Sequence, residues 1–535
     1  MYNQMRAGIG IMCAVYLLQA GTVFSAGKLD GTPPPQASVV TTSKGILQGI
    51  QTGGVYSYKG IPYAKAPVGD LRFAPPQDTE PWDEVRDCTE YGPIAIQYPN
   101  SYVVTKNPEQ SEDCLTLNIW TPAAPDADER LPVYVFIHGG GFGFGSGNEI
   151  RYDGTNFAQN GVIMVTINYR LSTLGFFSSQ ETYNRYGTTG NWGLLDQIKA
   201  LEWVRDNIAS FGGDPGKVTI GGESAGSVSV SALIVSPRAE GLFRSAIMES
   251  GSVLGIPSLA ASRGNLQTSI ETSLLFAKIF GAADNADGLE QLRLVDADIL
   301  NYLSPFALSQ GPAPQAFFYT PIFDGGTLPK DPAAAIGEGN FNKVNLLVGF
   351  NHDESSLFIQ DPVDNAYYKT IAARVIGKDW RVYVDHFPVD ENNSALQRTR
   401  QLFGGTWFVA DTKVFGDLVA AHGGKVFMYN YNYVAPGSPL EALGAYHSSE
   451  LDYVFNSSAL RGVKNKKMAL EMFTRWVNFI KNADPNIGAP PPTATQWPRY
   501  DPEKAEVIIF DNEVTAGPLP DRETVDFIAN ILPHP

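Results

Sequence analysis

Lys217-Val218-Thr219-Ile220-Gly221-Gly222-Glu223-Ser224-Ala225-Gly226-Ser227 decides the fold of this chain. The β-prone run Val218 to Ile220 leads into Gly222-Glu223-Ser224-Ala225-Gly226, and a proline-free run of small residues, Ala225 to Ile234, reads as a helix. Strand, G-x-S-x-G, helix is the context of a nucleophile elbow, in which a sharp turn lifts the serine hydroxyl out of the sheet. The following helix aims its N-terminus at the same place. Gly and Ser are common, so the pentapeptide alone also describes an ordinary turn, and the flanking elements carry the reading. Ser224 is the candidate nucleophile, and the rest of the chain can be searched for what a nucleophilic serine needs.

Around that stretch, buried strands alternate with helices. Leu115 to Trp120 alternates as a strand, and Val133 to Ile137 and Val162 to Ile167 are the continuous apolar runs of strands buried on both faces. Ala246 to Met248, Val344 to Val348 and Val426 to Tyr429 continue the series, with helices such as Leu194 to Ile208 between. This predicts an α/β fold, a large mostly parallel sheet flanked by helices. A hairpin is expected around Lys44-Gly45, and the turn-rich stretches at 59–64 and 71–76 are expected to wrap the sheet edge. From about 257 to 329 amphipathic helical runs and proline-rich loops replace buried strands, and this part reads as a helical insertion over the carboxyl edge of the sheet. Lys466 to Ile480 is a strongly amphipathic helix.

Composition bounds the function. With 535 residues and 43% hydrophobic content the chain can bury a large core. A net charge of −17 repels phosphate backbones and argues against a nucleic-acid partner. Arg6, the apolar run Ile9 to Leu18, and small residues at Ser25 and Ala26 read as a secretory signal over residues 1–26, leaving 27–535 as one catalytic domain. The run is too short to span a membrane, so a secreted, extracellular protein is expected. Cys13 falls inside the signal, and the remaining pair, Cys88 and Cys114, is expected to form a disulfide. Sequons at Asn392 and Asn456 permit glycosylation.

A serine nucleophile needs oxyanion donors, a base and an acid. Phe136-Ile137-His138-Gly139-Gly140-Gly141-Phe142 places three glycines after a buried strand, and the N–H groups of Gly140, Gly141 and Ala225 are the expected donors. No lysine or G-K-[ST] follows, which disfavours a phosphate loop. Of the six histidines, His447 lies in Gly444 to Phe455, beyond the last buried strand and after both the serine and the candidate acids, the chain order of α/β-hydrolases. His138 belongs to the glycine motif, and His352, His386, His422 and His534 read as loop, surface or terminal residues. The acid belongs on the loop after Val344 to Val348, where Asp353 and Glu354 stand side by side, and chemistry alone does not choose between them. No metal or organic cofactor is called for.

These stretches, with Ser111 to Asn118, Asn168-Tyr169-Arg170-Leu171, Gly190 to Gln197, Gly212-Gly213-Asp214-Pro215 and Trp497-Pro498-Arg499-Tyr500, resemble the type-B carboxylesterase/lipase family in order through nearly the whole mature chain. The resemblance implies Glu354 as the acid and supports His447 as the base. It also implies ion pairs Arg72–Glu112 and Arg170–Asp196, the Cys88–Cys114 disulfide, and Ser250 as a hydroxyl beside the triad, with Glu223 next to the nucleophile but outside the triad. The implied activity is hydrolysis of carboxylic esters, on a small-molecule ester or lipid, through an acyl-enzyme. Two departures stand out. Ser355 replaces the usual glycine after the acid, and residues 89–113 contain no tryptophan, so the cation–π platform of cholinesterases is missing. That loop is also shorter than the lid of the family's fungal lipases. The alternatives are an acyltransferase or lactone-forming enzyme of a biosynthetic pathway using the same triad, and a catalytically inactive adhesion-type relative.

Overall fold

The computed structural model describes residues 35–98, 103–255, 266–309, 319–457 and 465–532. The expected signal segment and His534 lie outside them. One 13-stranded sheet organises the chain. Its strands are β1 (Gln36–Thr41), β2 (Ile46–Thr52), β3 (Val55–Pro62), β4 (Arg86–Asp87), β5 (Thr116–Thr121), β6 (Leu131–Ile137), β7 (Ile163–Ile167), β8 (Gly213–Glu223), β9 (Ser245–Glu249), β10 (Asn345–Asn351), β11 (Val426–Tyr431), β12 (Glu506–Phe510) and β13 (Val514–Pro518). The spatial order is β1-β2-β3-β5-β7-β6-β8-β9-β10-β11-β12-β13, with β4 paired to β2. From β7 to β12 every pairing is parallel, and both margins are antiparallel except for the short parallel pairing of β4 with β2.

Alternation along β6 shows why its sequence is apolar throughout. Val133, Val135 and Ile137 enter one core, shared with Leu201 and Val230. Tyr134 and Phe136 enter the other, shared with Phe473 and Trp476. A strand covered on both faces has no polar side to show. Helices α1 (Trp192–Asn207) and α2 (Ala225–Val235) cover the first face, and α7 (Lys466–Asn482, the amphipathic helix) covers the second. The described part of the 257–329 stretch carries helices α3 (Leu266–Ala277), α4 (Ala286–Arg293) and α5 (Ala297–Ser309), while residues 319–329 are irregular. Helix α6 (Ala410–Ala421) packs against β10, and α8 (Arg522–Ile531) closes the described chain. No helix among the described residues is long and apolar enough to cross a membrane.

The hairpin at Lys44-Gly45 is β1–β2. Residues 59–62, expected to wrap the edge, instead belong to β3, inside the sheet between β2 and β5. The sequence there looks like a turn because Lys59-Gly60 sits at an irregularity between Tyr58 and Ile61, where the register with β5 shifts. Both implied ion pairs are present and bidentate. Arg72 Nε and Nη2 donate to Glu112 at 2.7 and 2.5 Å, and Arg170 Nε and Nη2 donate to Asp196 at 2.8 and 2.7 Å. The expected Cys88–Cys114 bridge is absent, because both cysteines are free and buried. Cys88 is fixed by its own backbone, its N–H on Gln48 O and its carbonyl on Lys59 N, each at 2.7 Å. Burial pushes its thiol up to about 12 and raises that of Cys114 as well. Each therefore packs as a protonated, small apolar side chain.

Candidate active site

The sequence-selected triad, oxyanion and neighbouring residues lie at the carboxyl edge of the parallel strands, where ligands bind in open α/β sheets. The glycine loop follows β6, Ser224 follows β8, Ser250 follows β9, Glu354 follows β10 and His447 lies on the connection after β11. Register brings these ends together. Ile137 pairs with Gly222, Glu223 with Glu249, and Asn351 with Tyr431.

Ser224 adopts φ 57°, ψ −123° between β8 and α2, a strained conformation for a residue with a Cβ, at a cost of order 1–3 kcal/mol. Its N–H donates to Glu249 O at 2.8 Å, and its carbonyl starts α2 by accepting from Val228 N at 2.9 Å. The turn leaves no room alongside. A Cβ on Gly139 would lie 2.6 Å from Glu223 O and 3.1 Å from Ser224 Cβ. The glycine loop is thus pressed against the serine. At Gly140, with φ +107°, a Cβ would meet Phe144 O at 2.1 Å. Among the described residues, the amide N–H groups of Gly140, Gly141 and Ala225 have no protein acceptor. His138, inside the same motif, is stacked on Tyr169 with ring centroids 4.4 Å apart, and burial lowers its pKa to about 4. It is a neutral structural side chain.

Glu354 and His447 meet, and the adjacent acid Asp353 does not reach the imidazole. Glu354 Oε2 lies 2.6 Å from His447 Nδ1. Its Oε1 accepts from Ser250 Oγ at 2.5 Å and from Asn351 N at 2.7 Å. With both oxygens occupied, the carboxylate has one orientation. Asp353 points elsewhere, to Ala445 N and His352. The imidazole packs against Phe408 and Phe358, with ring centroids 4.3 and 5.4 Å away, and the two phenyl rings stack on each other at 5.8 Å. Phe408 stands on a π-helical turn, Gly405–Val409, that precedes α6. Nothing in the sequence pattern marked either aromatic ring. His386 is stacked on Phe527 and His422 is directed at Gly337 O.

A second carboxylate faces the other side of the imidazole. Glu223 Oε1 is 3.1 Å from His447 Nε2 and accepts a hydrogen bond from Ser448 Oγ at 2.6 Å. The contact with Nε2 is close but not aligned, so Nε2 makes no hydrogen bond. Glu450 is buried beside Asn351, whose Nδ2 donates to it. Burial, reinforced by Glu223 and Glu354, pushes its pKa up to about 8. Burial also raises Glu223, partly offset by His447 and Ser448. Burial alone would depress His447, but Glu223 and Glu354 outweigh it and hold the ring up at about 9. The arrangement therefore offers a strained serine, an imidazole oriented through Nδ1 with a buried Nε2 that makes no hydrogen bond, and three unused amide donors at one sheet edge. Among the described residues no acidic, histidine or cysteine cluster is arranged for a metal ion.

Comparison with known proteins places this edge in context. The family model described as "Carboxylesterase family" matches residues 36–528. The chain is 36% identical over 503 residues to para-nitrobenzyl esterase of Bacillus subtilis, covering 91% of this chain and 97% of that one. It is 36% identical over 538 residues to carboxylesterase 1D of Rattus norvegicus, covering 92% of each. Among solved structures, a PNB esterase superposes with a TM-score of 0.79 at 33% identity, covering 92% of this chain and all of that one (100%). The Geobacillus stearothermophilus carboxylesterase superposes with a TM-score of 0.77 at 35% identity, covering 91% of this chain and 99% of that one. Likeness of this extent, on the α/β-hydrolase sheet described above, makes the chain a member of the carboxylesterase family and a carboxylic-ester hydrolase.

Proposed function

We propose that Ser224, His447 and Glu354 form the catalytic triad and that the protein hydrolyses small carboxylic esters through an acyl-enzyme. Ser224 Oγ attacks the ester carbonyl while His447 Nε2 takes its proton. Gly140, Gly141 and Ala225 N–H groups receive the oxyanion, and His447 then returns the proton to the leaving alcohol. Water deacylates Ser224 by the same route. Glu354 fixes the tautomer with hydrogen on Nδ1 and stabilises the imidazolium that forms. The observation that carries this reading is the imidazole itself: Nδ1 is held at 2.6 Å by a carboxylate whose other oxygen is occupied, and Nε2 is left without a hydrogen bond.

Relatives named as esterases support an esterase over a lipase, as does the short 89–113 loop. A p-nitrophenyl ester series from acetate to palmitate, run below and above the micellar concentration, tests it. Hydrolysis favouring the shorter esters with no rise across the micellar transition is expected, and a sharp rise there would contradict it. The reading extends to a secreted protein, supported by the N-terminal apolar run, with glycosylation at exposed Asn392 and half-buried Asn456 and with the 257–329 helices forming a cap within one catalytic domain.

Glu223 makes a prediction about pH. Glu223→Gln removes a negative charge 3.1 Å from Nε2. The imidazolium loses stabilisation, its pKa falls, and the neutral base is present at lower pH. The acid limb of the kcat/KM profile is expected to move down by about 1 pH unit, read from pH–rate profiles of both proteins. A shift in the opposite direction would exclude Glu223 as a charge acting on the base.

A further inference from the structure

The side chain next to the triad acid is built into the site for a different task. Asp353 and Ala445 are joined reciprocally: Asp353 N donates to Ala445 O at 3.0 Å, and Ala445 N donates to Asp353 Oδ2 at 3.0 Å. Asp353 also forms an isolated parallel bridge with Tyr446. Ala445 and Tyr446 immediately precede His447. The carboxylate lies so close to the loop that a Cβ on Gly444, which has φ +69°, would sit 2.2 Å from Asp353 Oδ2. The other oxygen, Oδ1, is 3.3 Å from His352 Nδ1, and His352 Nε2 is 3.6 Å from Asp521 Oδ2, just ahead of α8. Flanking contacts run the same way, with Asn351 Nδ2 on Tyr446 O at 2.8 Å and Ser356 Oγ on Leu443 O at 2.5 Å.

We propose that Asp353 is a positioning residue for the base: its carboxylate locks the loop carrying His447 onto the loop carrying Glu354. The proposal rests on the triad reading above. Its physical basis is that acid and base arrive from different connections, after β10 and β11, so their 2.6 Å hydrogen bond needs the two loops held in register. Asn351 and Ser356 hold the loop by its carbonyls. Among these three side chains, only Asp353 captures an N–H, and it does so two residues from the imidazole. Burial alone would raise Asp353, but His352, the Ala445 N–H and Arg400 outweigh it and keep the carboxyl below its usual range. The clamp is therefore an ionised acceptor throughout the working pH range of an esterase. His352, bound between Asp353 and Asp521, orients that acceptor.

The test uses the full-length protein with Asp353→Ala, Asp353→Asn and His352→Gln, measuring kcat and KM on p-nitrophenyl acetate and the low-field proton resonance of the Glu354–His447 hydrogen bond. Displacing a catalytic group by about 1 Å costs up to ~10²-fold. Asp353→Ala is expected to lower kcat about 30-fold with KM within about twofold, and to shift or broaden the low-field resonance. Asp353→Asn keeps an oxygen for Ala445 N–H and is expected to recover to within about threefold of the parent, as is His352→Gln, which leaves that bond intact. A merely structural role would lower thermal stability without moving the resonance or splitting kcat from KM. Gly444→Ala disrupts the same contact from the opposite side, so the inference stays testable if Asp353→Ala does not fold. The same kcat loss is expected from it. Parent-like kcat and resonance in Asp353→Ala would overturn the clamp, and so would equal losses in the Ala and Asn variants. Glu354→Gln, assayed in parallel, separates the two readings: if it keeps full activity, the triad assignment fails, whereas its loss beside an unaffected Asp353→Ala overturns the clamp alone.

Discussion

Ser224→Ala is expected to lower kcat on p-nitrophenyl acetate by about 10⁶-fold, the scale seen when a triad nucleophile is removed. The substitution deletes only the Oγ. The N–H to Glu249 O and the carbonyl to Val228 N are backbone bonds and persist, so the elbow and α2 remain. KM is expected within a few-fold of the parent, because the glycine loop and the rest of the pocket are untouched. Relief of the side-chain strain at φ 57° is small, since alanine still carries a Cβ. Circular dichroism and a thermal melt alongside the kinetics check that the loss is chemical. A drop of less than about 10²-fold would mean another group attacks the ester, since triad nucleophiles contribute far more than that.

Glu354→Gln is expected to lower kcat by about 10⁴-fold, with little change in volume. The reason is a hydrogen-bond count. Oε1 accepts from Ser250 Oγ and Asn351 N, and Oε2 faces His447 Nδ1. An amide has one acceptor oxygen and one NH₂. If the oxygen stays with Ser250 and Asn351, the NH₂ meets Nδ1 and forces the proton onto Nε2, the atom that must accept the serine proton. If the amide turns over, the NH₂ confronts the Asn351 N–H in a buried site, and an unmatched buried donor costs roughly 1–3 kcal/mol. Asp353→Asn keeps its acceptor and is expected to retain near-parent activity, so the adjacent acids separate cleanly in one assay.

Most of the sheet was legible because its signals are local. Continuous apolar runs at Val133–Ile137 and Val162–Ile167 are what double burial demands, and the elbow needs only a strand, two glycines and a helix. The strand β3 was not legible, since Lys59-Gly60 looks like a turn and becomes strand only through the irregular pairing with β5. β12 and β13 are short, and their place is set by pairing with β11 and with each other. In the site, the serine, the glycine loop and His447 could be picked out by spacing and chain order. The adjacent acids could not, because the direction of a loop side chain depends on what lies opposite: Glu354 meets His447, and Asp353 meets Ala445. Phe408 is placed by a π-helical turn that no periodicity announces. The cysteine pair was misread because an even count in a supposed oxidising compartment says nothing of whether two side chains meet. In the structure, both thiols remain free in the core.

Glu223 bears on the same imidazole. It is adjacent to the nucleophile in sequence, yet its side chain addresses Nε2 and Ser448. Glu223 and Glu354 thus bracket one imidazole, Glu354 at Nδ1 and Glu223 at Nε2. This accounts for the direction expected of the Glu223→Gln pH profile.

Acyl transfer through Ser224 is tested most directly by mass spectrometry of the protein after reaction with an organophosphate. One adduct per chain, located on the peptide containing Ser224 and absent from Ser224→Ala, is the expected result. No adduct, or an adduct that persists on another residue in Ser224→Ala, would contradict it.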